Sequence, residues 1–192
     1  GSLDVDNATS GNIDIAETDA ITVVKAVQVT TGNINIVSGG TLTVDSAGAP
    51  VNAVSTLLAG TITLDANGAN SDLVINDGIS AATGTVTLTA DDSVTFAIEG
   101  DITTTSGAIV VTANVDDANG DSNDVLSMAN GTVFDAGDDT IALDNNTGAG
   151  TDGGDITLGQ LTSTNATTTA VVIDTDAGVV DGNAAANNVT EG

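Results

Sequence analysis

The chain has 192 residues, 40% of them hydrophobic, enough for one domain with a sizeable core and too apolar for a disordered acidic tail. Lys25 alone stands against 27 carboxylates, for a formal charge of −26, a field that repels nucleic-acid phosphates and anionic lipid heads. Such an imbalance destabilises a compact chain unless salt or divalent cations screen it. Cysteine and histidine are absent, which excludes disulfides, thiol nucleophiles and thiolate metal sites. No run of apolar residues is long enough for a membrane-spanning helix, so neither nucleic acid nor membrane insertion is expected. Met128 is the sole methionine, so the chain reads as a mature segment or a piece of something longer.

In chain order, Gly1-Ser-Leu-Asp-Val5 has the pattern of the later Gly40-Thr-Leu-Thr-Val44, and the sequence therefore enters in the middle of a unit. A five-residue phrase then returns as Gly11-Asn-Ile-Asp-Ile15, Gly32-Asn-Ile-Asn-Ile36, Gly60-Thr-Ile-Thr-Leu64, Gly84-Thr-Val-Thr-Leu88 and Gly107-Ala-Ile-Val-Val111. It decays into Asp139-Thr-Ile141-Ala-Leu143 and Thr169-Ala-Val171-Val-Ile173. Each copy predicts a short strand whose third and fifth positions face one way, entered through a glycine that turns the chain without a Cβ penalty. Alternating second strands follow at Thr41–Val44, Ser71–Ile75, Asp92–Phe96 and Asp155–Leu158, with weaker third strands around Val27, Ile79, Ile102 and Val133.

From glycine to glycine the first five copies are 21, 28, 24 and 23 residues apart. Two or three strands per unit of this length predict stacked rungs, each strand lying on its own copy. A β-sandwich would need hairpin turns and larger inward side chains, and Thr, Val, Asn and Gly without a 3.6-residue period leave helix only to a stray turn at 184–188. The expected fold is an all-β parallel β-helix, or solenoid, of about seven rungs, with longer loops in the C-terminal half and residues 1–192 as one domain. At roughly 4.8 Å per strand it is a rod on the order of 35 Å long.

Two inward columns follow: Ile13, Ile34, Ile62, Val86, Ile109, Ile141, Val171 and Ile15, Ile36, Leu64, Leu88, Val111, Leu143, Ile173. The outward position between them is polar in Asp14, Asn35, Thr63 and Thr87, then apolar in Val110, Ala142 and Val172. Either the insertions at 112–124 and 144–154 cover this patch, or it is a lateral contact with another protomer. The open strand edges at the two ends call for pairing, which predicts head-to-tail joining to more of the same polypeptide or to copies of it.

The run Asp116-Asp-Ala-Asn-Gly-Asp-Ser-Asn-Asp124 spaces Asp117, Asn119, Asp121 and Asn123 two apart and ends in Asp124, an alternation of oxygen ligands suited to Ca2+. Its glycine falls fourth instead of sixth, and Met128 stands where an EF-type loop has glutamate, so a solvated polar loop is the competing reading. Further carboxylate groups are Asp135 with Asp138 and Asp139, Asp152 with Asp155, and Asp174 with Asp176. Catalysis is not expected: acidic pairs are common in so acidic a chain, and no His, Arg or aromatic platform accompanies them. Lys25 is expected in a surface ion pair, since an isopeptide bond requires an apolar pocket. Five Asn-x-Ser/Thr sequons begin at Asn7, Asn130, Asn145, Asn165 and Asn188, as chance allows in this composition.

The Gly-Asn-Ile-Asn-Ile and Gly-Gly-Thr-Leu-Thr-Val phrases resemble the shaft repeats of filamentous haemagglutinin-type proteins and related giant bacterial surface proteins, closely over residues 1–111 and loosely beyond. The resemblance implies a right-handed parallel β-helix, extracellular or at the cell surface, serving as stalk, adhesin or coat. Together these readings lead to a structural building block assembling end to end and stiffened by calcium. The alternative is a calcium-dependent adhesin module that binds a glycan or protein through the loops after residue 111.

Overall fold

The computed structural model describes residues 1–46, 48, 52–115, 124–145, 155–166, 169–175, 179–181 and 189–191, and among them the regular structure is β-strand alone. Seven strands form one sheet: β2 (Ile13–Glu17), β4 (Ile34–Ser38), β7 (Ile62–Ala66), β10 (Val86–Ala90), β13 (Ile109–Thr112), β16 (Ile141–Asn145) and β19 (Val171–Thr175). The larger sheet has two arms that meet at the long strand β3 (Ile21–Gln28), on which β1 (Ser2–Asn7) also pairs. Its first arm runs through β5 (Leu42–Val44), β8 (Leu73–Ile75), β11 (Val94–Phe96), β14 (Leu126–Met128), β17 (Ile156–Leu158) and β20 (Val179–Asp181). The second runs through β6 (Val54–Ala59), β9 (Ile79–Thr83), β12 (Ile102–Thr104), β15 (Val133–Asp135), β18 (Gln160–Ser163) and β21 (Val189–Glu191).

Every pairing between these strands is parallel, and each strand lies on its own equivalent one unit away. The chain therefore visits the smaller sheet, the first arm and the second arm in turn. The inward columns of the smaller sheet are those expected, in register from Ile13↔Ile34↔Ile62 through Val86↔Ile109 to Ile141↔Val171. The arms add Leu42, Leu73, Val94 and Leu126 on one side and Val54, Ile79, Ile102, Phe134 and Leu161 on the other, all fully buried. These side chains form one continuous apolar cluster, with Phe96 and Phe134 in T-shaped contact at 4.8 Å between ring centroids. Branched aliphatics stack well on themselves along the inner face of a pleated strand, which explains how the core is built almost without aromatics.

Three details differ from the sequence reading. The strand expected around Val27 is the second half of a longer strand, β3, that begins at Ile21 and whose alternation is broken at Val24 by a bulge opposite β1 between Leu3 and Asp4. The strand around Val133 turns Phe134 inward, paired with Ile102, and leaves Val133 half-buried. The repeated glycines answer to stacking as well as turning: a Cβ on Gly32 would lie 2.0 Å from the Gly11 carbonyl oxygen, and one on Gly107 would lie 2.1 Å from that of Gly84. The turn at 184–188 lies outside the described residues.

Candidate functional site

Where the chain leaves the smaller sheet for the first arm, Asp72, Asp92 and Asp124 precede the strands of that arm on successive layers. Register places Asp92 and Asp124 each two residues before the paired Val94 and Leu126 of β11 and β14, on neighbouring layers. Ser93 knits the corner together: its backbone N–H donates to Asp72 Oδ1 at 3.3 Å, and its hydroxyl accepts from the Val125 N–H at 3.1 Å. Asn114, in the left-handed region at φ 55°, donates its N–H to the Asp92 carbonyl at 2.8 Å, and Asn145 Nδ2 donates to the Asp124 carbonyl at 3.1 Å. Burial raises the Asp72 carboxyl above its ordinary range; the Ser93 N–H opposes this and the Asp92 charge reinforces it. Burial likewise raises Asp65, against a hydrogen bond from Asn67.

Of the five candidate calcium ligands, Asp117, Asn119, Asp121 and Asn123 lie outside the described residues. Asp124 is described and buried, at 1% exposure, at the root of that run. Among the described residues no three acidic side chains come together in a metal-holding group. Asp135 and Asp139 are engaged in turns, accepting from the Gly137 and Thr140 N–H groups at 3.0 and 2.8 Å. Asp152 and Asp176 lie outside the described residues.

The outward column Asp14, Asn35, Thr63, Thr87, Val110, Ala142, Val172 is in register along the smaller sheet. Val110 and Ala142 are half-buried and Val172 is 49% exposed. The segments at 116–123 and 146–154, candidates for covering it, lie outside the described residues. At the two ends of the stack, Leu3, Val5 and Ile15 on one side and Val171 and Ile173 on the other pack on the core while only partly buried.

Lys25 pairs with Asp6 on the neighbouring strand β1, both side chains near half exposed, as a surface ion pair. That contact and the nearby Asp4 raise the lysine's pKa. The sequon at Asn145 is closed to a glycan in the folded chain, since that residue is fully buried, while the half-buried Asn7 amide donates to Gln28 Oε1 at 2.7 Å and to the Gly11 carbonyl at 3.1 Å. The corners themselves carry no sequence signal of their own. Buried Gln28, Ser38, Thr56, Thr104 and Ser163 each turn a polar side chain to a turn carbonyl, so the bends are tied to the stack from inside. No protein-family model, curated protein or solved structure matches this chain.

Proposed function

We propose that the chain is a noncatalytic right-handed parallel β-solenoid of about seven rungs, a structural building block of an extracellular filament, stalk or surface layer that extends end to end. The observation that carries this reading is the state of the core at its ends. The inward columns run in register up to the outermost strands, where Leu3, Val5, Ile15, Val171 and Ile173 remain only partly buried. Open strand edges with apolar side chains beneath them gain both hydrogen bonds and burial when a further rung is laid on, whether it belongs to the same polypeptide or to another copy. The partner is therefore the chain's own kind, with the Val110–Ala142–Val172 patch as a lateral contact.

Calcium enters as the ion suited to the oxygen donors Asp117, Asn119, Asp121, Asn123 and Asp124, and as a screen for the formal charge of −26. The alternative, a calcium-dependent adhesin module binding a glycan or protein, draws on the buried Asp124 at the root of the same run. Electron micrographs of purified protein with and without calcium test the first reading: filaments support it, and monodisperse short rods under both conditions defeat it. Glycan-array binding that needs calcium and disappears on deleting 112–124, with no filaments, selects the second. Melting that is unchanged by a chelator removes calcium from both.

A further inference from the structure

Four successive passages from the second arm into the smaller sheet carry no charged residue: 26–44, 54–64, 79–90 and 102–115. The passages on either side do, with Asp6 and Asp14 before them and Asp135, Asp138 and Asp139 after. Register stacks the four directly on one another, through Ala26↔Val54↔Ile79↔Ile102 on one side of the corner and Ile34↔Ile62↔Val86↔Ile109 on the other. The carboxylates of these layers fall toward the other two corners, Asp65, Asp72, Asp91 and Asp92 at one and Asp45, Asp77, Glu99 and Asp101 at the other.

The uncharged corner also exposes large aliphatics. In β6, Thr56 pairs with Ala81 and Ala59 with Thr83, so Leu57 and Leu58 together face Ala82 across a bulge. Both are turned out, at 52% and 51% exposure. Val29, 38% exposed, follows Gln28, which pairs with Thr56, and so stands beside Leu57 on the layer below.

We infer that this corner is a side-by-side contact between two copies of the chain. Each copy carries a formal charge of −26, so another copy is repelled from every face that presents carboxylates. Corner against corner, the carboxylate-bearing corners point away from the contact. Strands of three to five residues at about 3.3 Å each separate the corners of one copy by roughly 10–17 Å, beyond the Debye length of about 8 Å at physiological salt. A cationic partner would be drawn to the carboxylates instead, and an anionic lipid surface repelled by the whole chain. Four layers make a patch of a few hundred Å2, on the order of half of what a stable partner contributes, so a single contact is weak and strengthens with salt.

Sedimentation velocity over a concentration series, at low and at about 1 M NaCl, tests this. The expected result is a dimer that tightens roughly tenfold at high salt and is lost in Leu57→Asp/Leu58→Asp. Thr103→Asp, on the exposed face of β12 at the same corner, weakens it without touching the bulge. Failure of the wild type to associate at any salt overturns the inference, as does unchanged association of either variant with a wild-type circular dichroism spectrum. Association that lengthens rods without widening them, indifferent to these substitutions, also overturns it while leaving end-to-end growth intact.

Discussion

A methyl group on Gly60 would stand 2.0 Å from the carbonyl oxygen of Gly32 in the layer beneath. Gly60 lacks the positive φ of Gly11, Gly32 and Gly84, so its requirement for hydrogen is imposed by the neighbouring turn and not by its own backbone. Gly11 is the converse, with φ 125° and nothing within 4 Å of a Cβ. Gly60→Ala should therefore separate two stacked turns and destabilise by about 3 kcal/mol, in the upper range of overpacking substitutions. Gly11→Ala meets only conformational strain, about 1 kcal/mol. Urea unfolding of the two variants measures the difference, and equal losses would mean that the turns are not held apart by contact.

Phe96 and Phe134 meet edge to face across the interior, one from each arm of the larger sheet, and Phe134 is fully buried. These are the chain's two aromatic residues, set in a core otherwise built of aliphatics. Phe134→Ala should cost about 3–5 kcal/mol through the cavity it leaves. Phe134→Leu, which keeps most of the volume and stacks on Ile102 and Leu161, should cost about half as much. Denaturant midpoints at constant slope distinguish cavity from general unfolding.

The smaller sheet is legible in the sequence because its strands are four or five residues long and alternate cleanly, so the columns through Ile34 and Ile36 follow from residue spacing alone. The larger sheet is less so. Three-residue strands such as β14 contain too few positions for a period of two to stand out, and β6 hides its alternation behind the Leu57-Leu58 bulge. The candidate calcium run is visible as an alternation of oxygen-bearing residues, yet alternation says only which side chains share a face. Asp124 is buried where neighbouring layers bond its segment, Ser93 at the Val125 N–H and Asn145 at the Asp124 carbonyl, and those partners are distant in sequence.

Gln28 is fully buried, yet it is polar because the bend after β1, one layer away, has a carbonyl to satisfy. Its Nε2 donates to the Thr9 carbonyl at 2.9 Å while its Oε1 accepts from Asn7. Gln28→Leu keeps the volume but strands both partners, and should destabilise by about 2–3 kcal/mol. Thr56→Val, which removes one longer bond to the Gly60 carbonyl at 3.3 Å, should cost about 1 kcal/mol. Thermal melts of both variants rank the two bends; a larger loss at Thr56 would show that the carbonyl at Gly60 depends more on its partner than that at Thr9.

Acid should stabilise this protein over a range in which it weakens many others. Asp65 and Asp72 have carboxyls raised by burial, so the folded chain holds their protons more tightly than the unfolded chain. Between the unfolded value near 4 and the raised folded values, the native state binds more protons and stability falls as pH rises. Mutual repulsion within a chain of formal charge −26 acts in the same direction. The melting temperature should therefore rise as pH falls from neutral toward about 5, and NaCl should raise it at neutral pH by screening. Asp65→Asn/Asp72→Asn removes the ionisation while keeping side chains that accept from Asn67 and Ser93, so it should raise the neutral melting temperature and flatten the pH slope. A melting temperature that drops on acidification in both wild type and double variant would mean that carboxylates stabilised in their charged form outweigh this pair.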